Sequence, residues 1–147
     1  MERKIVHVVG TGTIGEPLIG ILCEQKSNLG IDEITFHKHS PLTKDKPKID
    51  NLIAKGARLS VLEDRIDAFK AVGLEPEFSM EEAIARSSVV IDCTPGGSGL
   101  RNKEEFYHKY ADKVKGFLAQ GSENGFGKKY ARGINDHVIN SDDKFLQ

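Results

Sequence analysis

The sharpest chemical signal is Gly10-Thr11-Gly12-Thr13-Ile14-Gly15. This G-x-G-x-x-G turn follows an apolar run and opens an amphipathic stretch, the context in which such glycines cradle a diphosphate. Each glycine has its own physical job. Gly10 permits a tight turn, Gly12 lets backbone approach a pyrophosphate with no β-carbon in the way, and Gly15 lets helix and strand pack closely. The first amides of the following helix lack intrahelical partners and can donate to the anion. The predicted contacts are therefore Gly10, Gly12, Thr13, Ile14 and Gly15, with Thr11 and Thr13 adding hydroxyls. Glu16 puts a negative charge near that site unless the helix aims it outward. Pro17, which has no N–H, fits only in the first helical turn.

The second strand tip selects the nucleotide. An acidic residue about 20 residues past the glycines binds the ribose hydroxyls of NAD. Here the tip reads Phe36-His37-Lys38-His39-Ser40-Pro41, and Asp32 and Glu33 come too early. Lys38, Ser40 and the two histidines suit a 2′-phosphate, so the expected cofactor is NADP or NAD, with NADP binding at least as well. His37 and His39 share a strand face but no third ligand accompanies them, and no metal site is expected.

Candidate nucleophiles are few. Cys93 lies against Val89-Val90-Ile91 and reads as a buried, inert thiol. Asp92, at a strand end, either touches a ligand or caps a turn. Cys23 and His7 read as core, His108 and His137 have no recognisable partners, and Tyr107, Tyr110 and Tyr130 read as packing groups. The basic run Lys44, Lys46, Lys48, Lys55 and Arg58 is offset by Asp45 and Asp50 and reads as a solvated helix face. No catalytic residue is assigned.

These residues need a frame, and the pattern supplies one. Short apolar runs over 4–9, 34–37, 57–61, 88–94 and Gly116–Ala119 predict strands, with a brief extended piece over 75–78. Between them, Ile14, Leu18, Ile21 and Leu22 recur at helical spacing. Ile49, Leu52 and Ile53 share a face of a second helix, and Leu62, Ile66 and Phe69 a face of a third. Ser79-Met80-Glu81-Glu82 is a capping box, and Asn102 with Glu105 reads as another capped start. Strands alternating with helices predict an α/β fold, a doubly wound Rossmann-type sheet, mostly parallel, with helices on both faces. Residues 1–123 form the predicted domain. Residues 124–147 are Gly-rich and polar with scattered apolar residues, and read as a connector or arm toward a catalytic domain outside this chain. Those apolar residues also point to a homo-oligomer.

Composition excludes other classes. The chain has 147 residues, 38% apolar and 29% charged, which is one globular domain and not a disordered segment. A net charge of −1 gives no pull toward nucleic acid. The apolar runs are too short for a membrane span, and the charged start Met1-Glu2-Arg3-Lys4 is followed too early by Gly10 for a signal peptide. Two cysteines imply no disulfide framework and a cytoplasmic setting.

Four stretches carry a resemblance: the glycine turn, Lys38-His39-Ser40-Pro41, Asp92-Cys93-Thr94-Pro95-Gly96-Gly97-Ser98-Gly99 and Gln120-Gly121-Ser122-Glu123. In order and approximate spacing they resemble archaeal-type glyceraldehyde-3-phosphate dehydrogenases over residues 4–123. The resemblance implies the NAD(P)-binding domain of an enzyme that oxidises an aldehyde through a cysteine thiohemiacetal, passes hydride to the nicotinamide and releases an acyl phosphate. It implies Gly12, Thr13 and Ile14 at the pyrophosphate, Lys38 and Ser40 at the adenosine ribose or its phosphate, and Thr94, Pro95 and Gly97 near the nicotinamide. The family's Ser-Cys-Asn-Thr nucleophile segment and later catalytic histidine are not found before Gln147. The expectation is thus an isolated N-terminal domain that binds cofactor without turnover. Rival expectations are a cofactor domain of the aspartate-semialdehyde or dihydrodipicolinate reductase type, a stand-alone nucleotide sensor, and an S-adenosylmethionine site.

Overall fold

The computed structural model describes residues 2–120 and 122–147. Met1 and Gly121, which belong to the charged start and to the Gln120-Gly121-Ser122-Glu123 motif, lie outside them. Among the described residues, seven strands form one sheet in the order β4-β3-β2-β1-β5-β6-β7. The strands are β1 Ile5–Val9, β2 Glu33–His37, β3 Arg58–Val61, β4 Phe78–Ser79, β5 Val89–Asp92, β6 Gly116–Ala119 and β7 Phe145–Leu146. Every neighbouring pair is parallel. The chain builds outward from β1 to β4, then crosses back to lay β5 against the free side of β1. The reversal between β1 and β5 leaves a crevice beyond their carboxyl ends, where open α/β sheets bind ligands.

The helices are α1 Gly15–Gln25, α2 Lys46–Ala54, α3 Ile66–Ala71, α4 Met80–Arg86 and α5 Ser98–Glu105. Val8, Ile34, Phe36, Leu59 and Val61 pack on one sheet face against Ile19 and Leu22 of α1, Ile49 and Leu52 of α2 and Phe69 of α3. Val9, Val90, Phe117 and Ala119 pack on the other against Met80 and Ile84 of α4 and Tyr107 just after α5. Helices thus cover both faces, the doubly wound arrangement that the alternating pattern predicts. Period-2 side chains put Val8 and Val9 in different cores.

Two local expectations differ from the structure and one is met. Ile53 is exposed while Ile49 and Leu52 are fully buried, so α2 presents a narrower apolar stripe than its sequence suggests. The Ser79 capping box forms: Ser79 Oγ accepts from the Glu82 amide at 3.2 Å and Glu82 returns the bond at 2.8 Å. Asn102 caps nothing. α5 starts five residues earlier, after Gly97 at φ 85°, and Asn102 sits inside it, donating to the Asp92 carboxylate at 3.0 Å.

Residues 124–147 run beside β6. Phe145 stacks on Phe117 with ring centroids 5.0 Å apart, Phe126 is fully buried, and β7 pairs with β6. Lys103 Nζ lies 4.5 Å from the Phe145 ring centroid, above this aromatic cluster.

Candidate functional site

The glycine turn leaves β1 at the switch between β1 and β5. Gly10 has φ 102°, a conformation that glycine alone adopts freely, and its amide donates to the His37 carbonyl at the tip of β2 at 3.2 Å. A β-carbon on Gly15 would lie 2.0 Å from the Gly10 carbonyl oxygen, so α1 can sit against the turn only with glycine there. A β-carbon on Gly12 would meet nothing within 4 Å. Gly12 therefore keeps open a space beside the backbone. The Glu16 amide closes the first helical turn on the Gly12 carbonyl at 3.1 Å. Pro17 stands in that turn, where its missing N–H costs nothing. Glu16 points away toward α2, 3.9 Å from Lys48 Nζ.

Facing this turn is the loop after β5. Buried Asp92 accepts from the Thr94 amide at 2.9 Å, from the Thr94 hydroxyl, from Asn102 and from the Tyr107 hydroxyl. Of its two expected roles it takes the turn-capping one. Glu123, also buried, accepts from the Gly97 amide at 2.9 and 3.1 Å. The loop is thus held at both ends by carboxylates. Burial and the neighbouring Asp92 charge together push the Cys93 thiol up to about 11, which keeps it protonated.

Between turn and loop lies a cleft of about 480 Å³. It brings together Gly10, Gly12, Thr13, Ile14, Lys38, Thr94 and Pro95 of the predicted residues. Gly15 lies beneath it, Ser40 lies off it, and the Gly97 amide is occupied by Glu123. Two further cavities continue it along the carboxyl edge of the sheet. One of about 310 Å³ shares His39, Thr94 and Pro95 and runs toward α5. One of about 970 Å³ shares Ile14, Cys93 and Gln120 and runs past β6 toward residues 129–135.

Sequence reading missed Lys48. It stands in the basic run read as a solvated face, yet its Nζ donates to the Thr11 carbonyl at 3.0 Å and lines the cleft. Its position in α2, remote in sequence from the turn, left no local signal. Glu123 was visible only as part of a motif. His37, expected at the nucleotide, is buried and neutral: burial, then the neighbouring His7, holds it down to about 3.

The sequence is 34% identical over 120 residues to a glyceraldehyde-3-phosphate dehydrogenase of Pyrobaculum arsenaticum, covering 80% of this chain and 31% of that protein. It is 32% identical over 128 residues to the enzyme of that name from Methanopyrus kandleri, covering 84% and 34%. With that of Methanococcoides burtonii it shares 31% over 125 residues, covering 84% and 33%. The chain spans about a third of the length of these curated relatives. No protein-family model matches it. A solved 3-hydroxyisobutyrate dehydrogenase of Mycobacterium tuberculosis superposes with a TM-score of 0.48 at 17% identity, covering 83% of this chain and 33% of that one.

Proposed function

We propose that this chain, a glyceraldehyde-3-phosphate-dehydrogenase-like N-terminal domain of the archaeal type, binds NAD or NADP for a phosphorylating aldehyde dehydrogenase of the cytoplasm. One observation carries the reading: three joined cavities run along the carboxyl edge of the sheet across the β1–β5 switch, with Gly12 open at their centre. A dinucleotide is an elongated ligand with a diphosphate at its middle, and this groove has that form.

The residues present fit such a group. Gly12, Thr13 and Ile14 offer backbone to the diphosphate, and the amino end of α1 adds a favourable dipole. Lys38 and Lys48 bring positive charge to the end of the cleft near β2. Asp92 and Glu123 hold Thr94 and Gly97 in place, so the loop meets the ligand with its shape already set and less ordering to lose. When bound, the nicotinamide accepts hydride from the substrate. Cys93, buried and protonated at neutral pH, is unsuited to attack an aldehyde. Residues 124–147 we assign to the path toward the catalytic part.

Calorimetric titration of the full chain with NAD and with NADP tests this. The expected result is saturable uptake of at least one coenzyme, abolished by Gly12→Val. Failure of both coenzymes to bind at millimolar concentration overturns the assignment.

A further inference from the structure

Two ammonium groups at the β2 end of the cleft share one carboxylate. Lys38 Nζ lies 2.8 Å from Asp45 Oδ2, and Lys48 Nζ lies 3.9 Å from Asp45 Oδ1. Both lysines line the cleft. Lys48 is also tied to the glycine turn through the Thr11 carbonyl and stands 3.9 Å from Glu16. The four side-chain charges therefore balance within the protein. The hydrogen bond from Lys38 holds the Asp45 carboxyl below the usual carboxylate range, so Asp45 stays an anion at any working pH.

We propose that Asp45 is an internal counter-anion at Lys38 and Lys48 that a 2′-phosphate must displace, and that it thereby sets the balance between NADP and NAD. The proposal rests on the dinucleotide reading above. NAD carries only hydroxyls at that ribose and can leave the Lys38–Asp45 pair intact. NADP brings a near-dianionic group with three acceptor oxygens, which competes with a single carboxylate for the same two lysines. Asp45 ends a short 3-10 turn, Thr43–Asp45, just before α2, so its side chain can leave the lysines without disturbing the sheet.

The test is calorimetric titration of the full chain and of its Asp45→Asn variant with NAD and NADP. Asp45→Asn is expected to tighten NADP about fivefold and to change NAD less than about twofold, the range of one partly exposed ion pair. Lys48→Gln supplies an independent arm, weakening NADP more than NAD. An equal change for both coenzymes, or weaker NADP binding to Asp45→Asn, overturns the proposal. Wild-type protein that takes up neither coenzyme overturns the dinucleotide reading itself, whereas uptake of both with no selective response overturns only the role of Asp45.

Discussion

A β-carbon on Gly15 would stand 2.0 Å from the carbonyl oxygen of Gly10, whereas one on Gly12 would stand in open space. Substituting the two glycines should therefore separate folding from binding. Gly15→Ala forces backbone apart where α1 meets the turn and should cost about 3 kcal/mol of stability, the upper range of overpacking. Gly12→Ala should leave the urea midpoint unchanged and weaken coenzyme at least tenfold, because its methyl enters the space beside the turn. Paired denaturation and titration curves check both.

Asp92 is the acceptor shared by Thr94, Asn102 and Tyr107. Asp92→Ala leaves a buried hydroxyl and an amide without that acceptor. The expected loss is about 3 kcal/mol in urea unfolding, together with weaker coenzyme uptake through a loosened Thr94–Gly97 loop. Asn102→Ala, which removes one donor, should cost less.

His7 and His37 are buried with folded-state values of about 3 against 6.5 for the free imidazole. Burial is the main cause for both. Above pH 6.5 folded and unfolded chains both hold them neutral. Below it the unfolded chain takes up protons that the folded chain refuses down to about pH 3. Stability is thus fully present above pH 6.5 and falls as pH drops toward 3. At pH 5 each histidine should cost about 2 kcal/mol. Urea midpoints measured from pH 8 to 5 should decline accordingly, and the two ring signals should not titrate in that range by NMR.

Cys93, raised to about 11, is about 0.03% thiolate at pH 7.5. Iodoacetamide should label half-buried Cys23 first and leave Cys93 unmodified in the folded chain, as read by peptide mass mapping.

Phe126 is fully buried and meets Tyr107 edge-on at 6.1 Å. Phe126→Ala should cost about 3–4 kcal/mol, the scale for a deleted core aromatic. A shift of the urea midpoint of that size would show residues 124–147 to be part of the cooperative unit.

The parts of the fold legible in the sequence were those governed by near neighbours. Ser79 and Glu82 bond each other across three residues, and the glycine turn carries its own spacing. β7 was not legible. Phe145 and Leu146 make only two residues of strand, after a polar stretch, and their place is set by Phe117 and Lys103 far back in the chain. Asn102 looked like a cap because its local pattern fits one, but Gly97, at positive φ, begins the helix earlier and Asp92 claims the Asn102 amide. The roles of Lys48 and Glu123 are not legible for the same reason: each acts on a loop distant in sequence.

The outermost strands, β4 and β7, are each two residues long. An open sheet invites foreign chains to continue its ladder, and fibre growth starts at such borders. β4 is too short to give an incoming strand many amides to grip, and the outer side of β7 is already taken by Lys128, whose amide donates to the Phe145 carbonyl at 3.0 Å. Crowding alone should therefore not zip copies of this domain into continuous sheets.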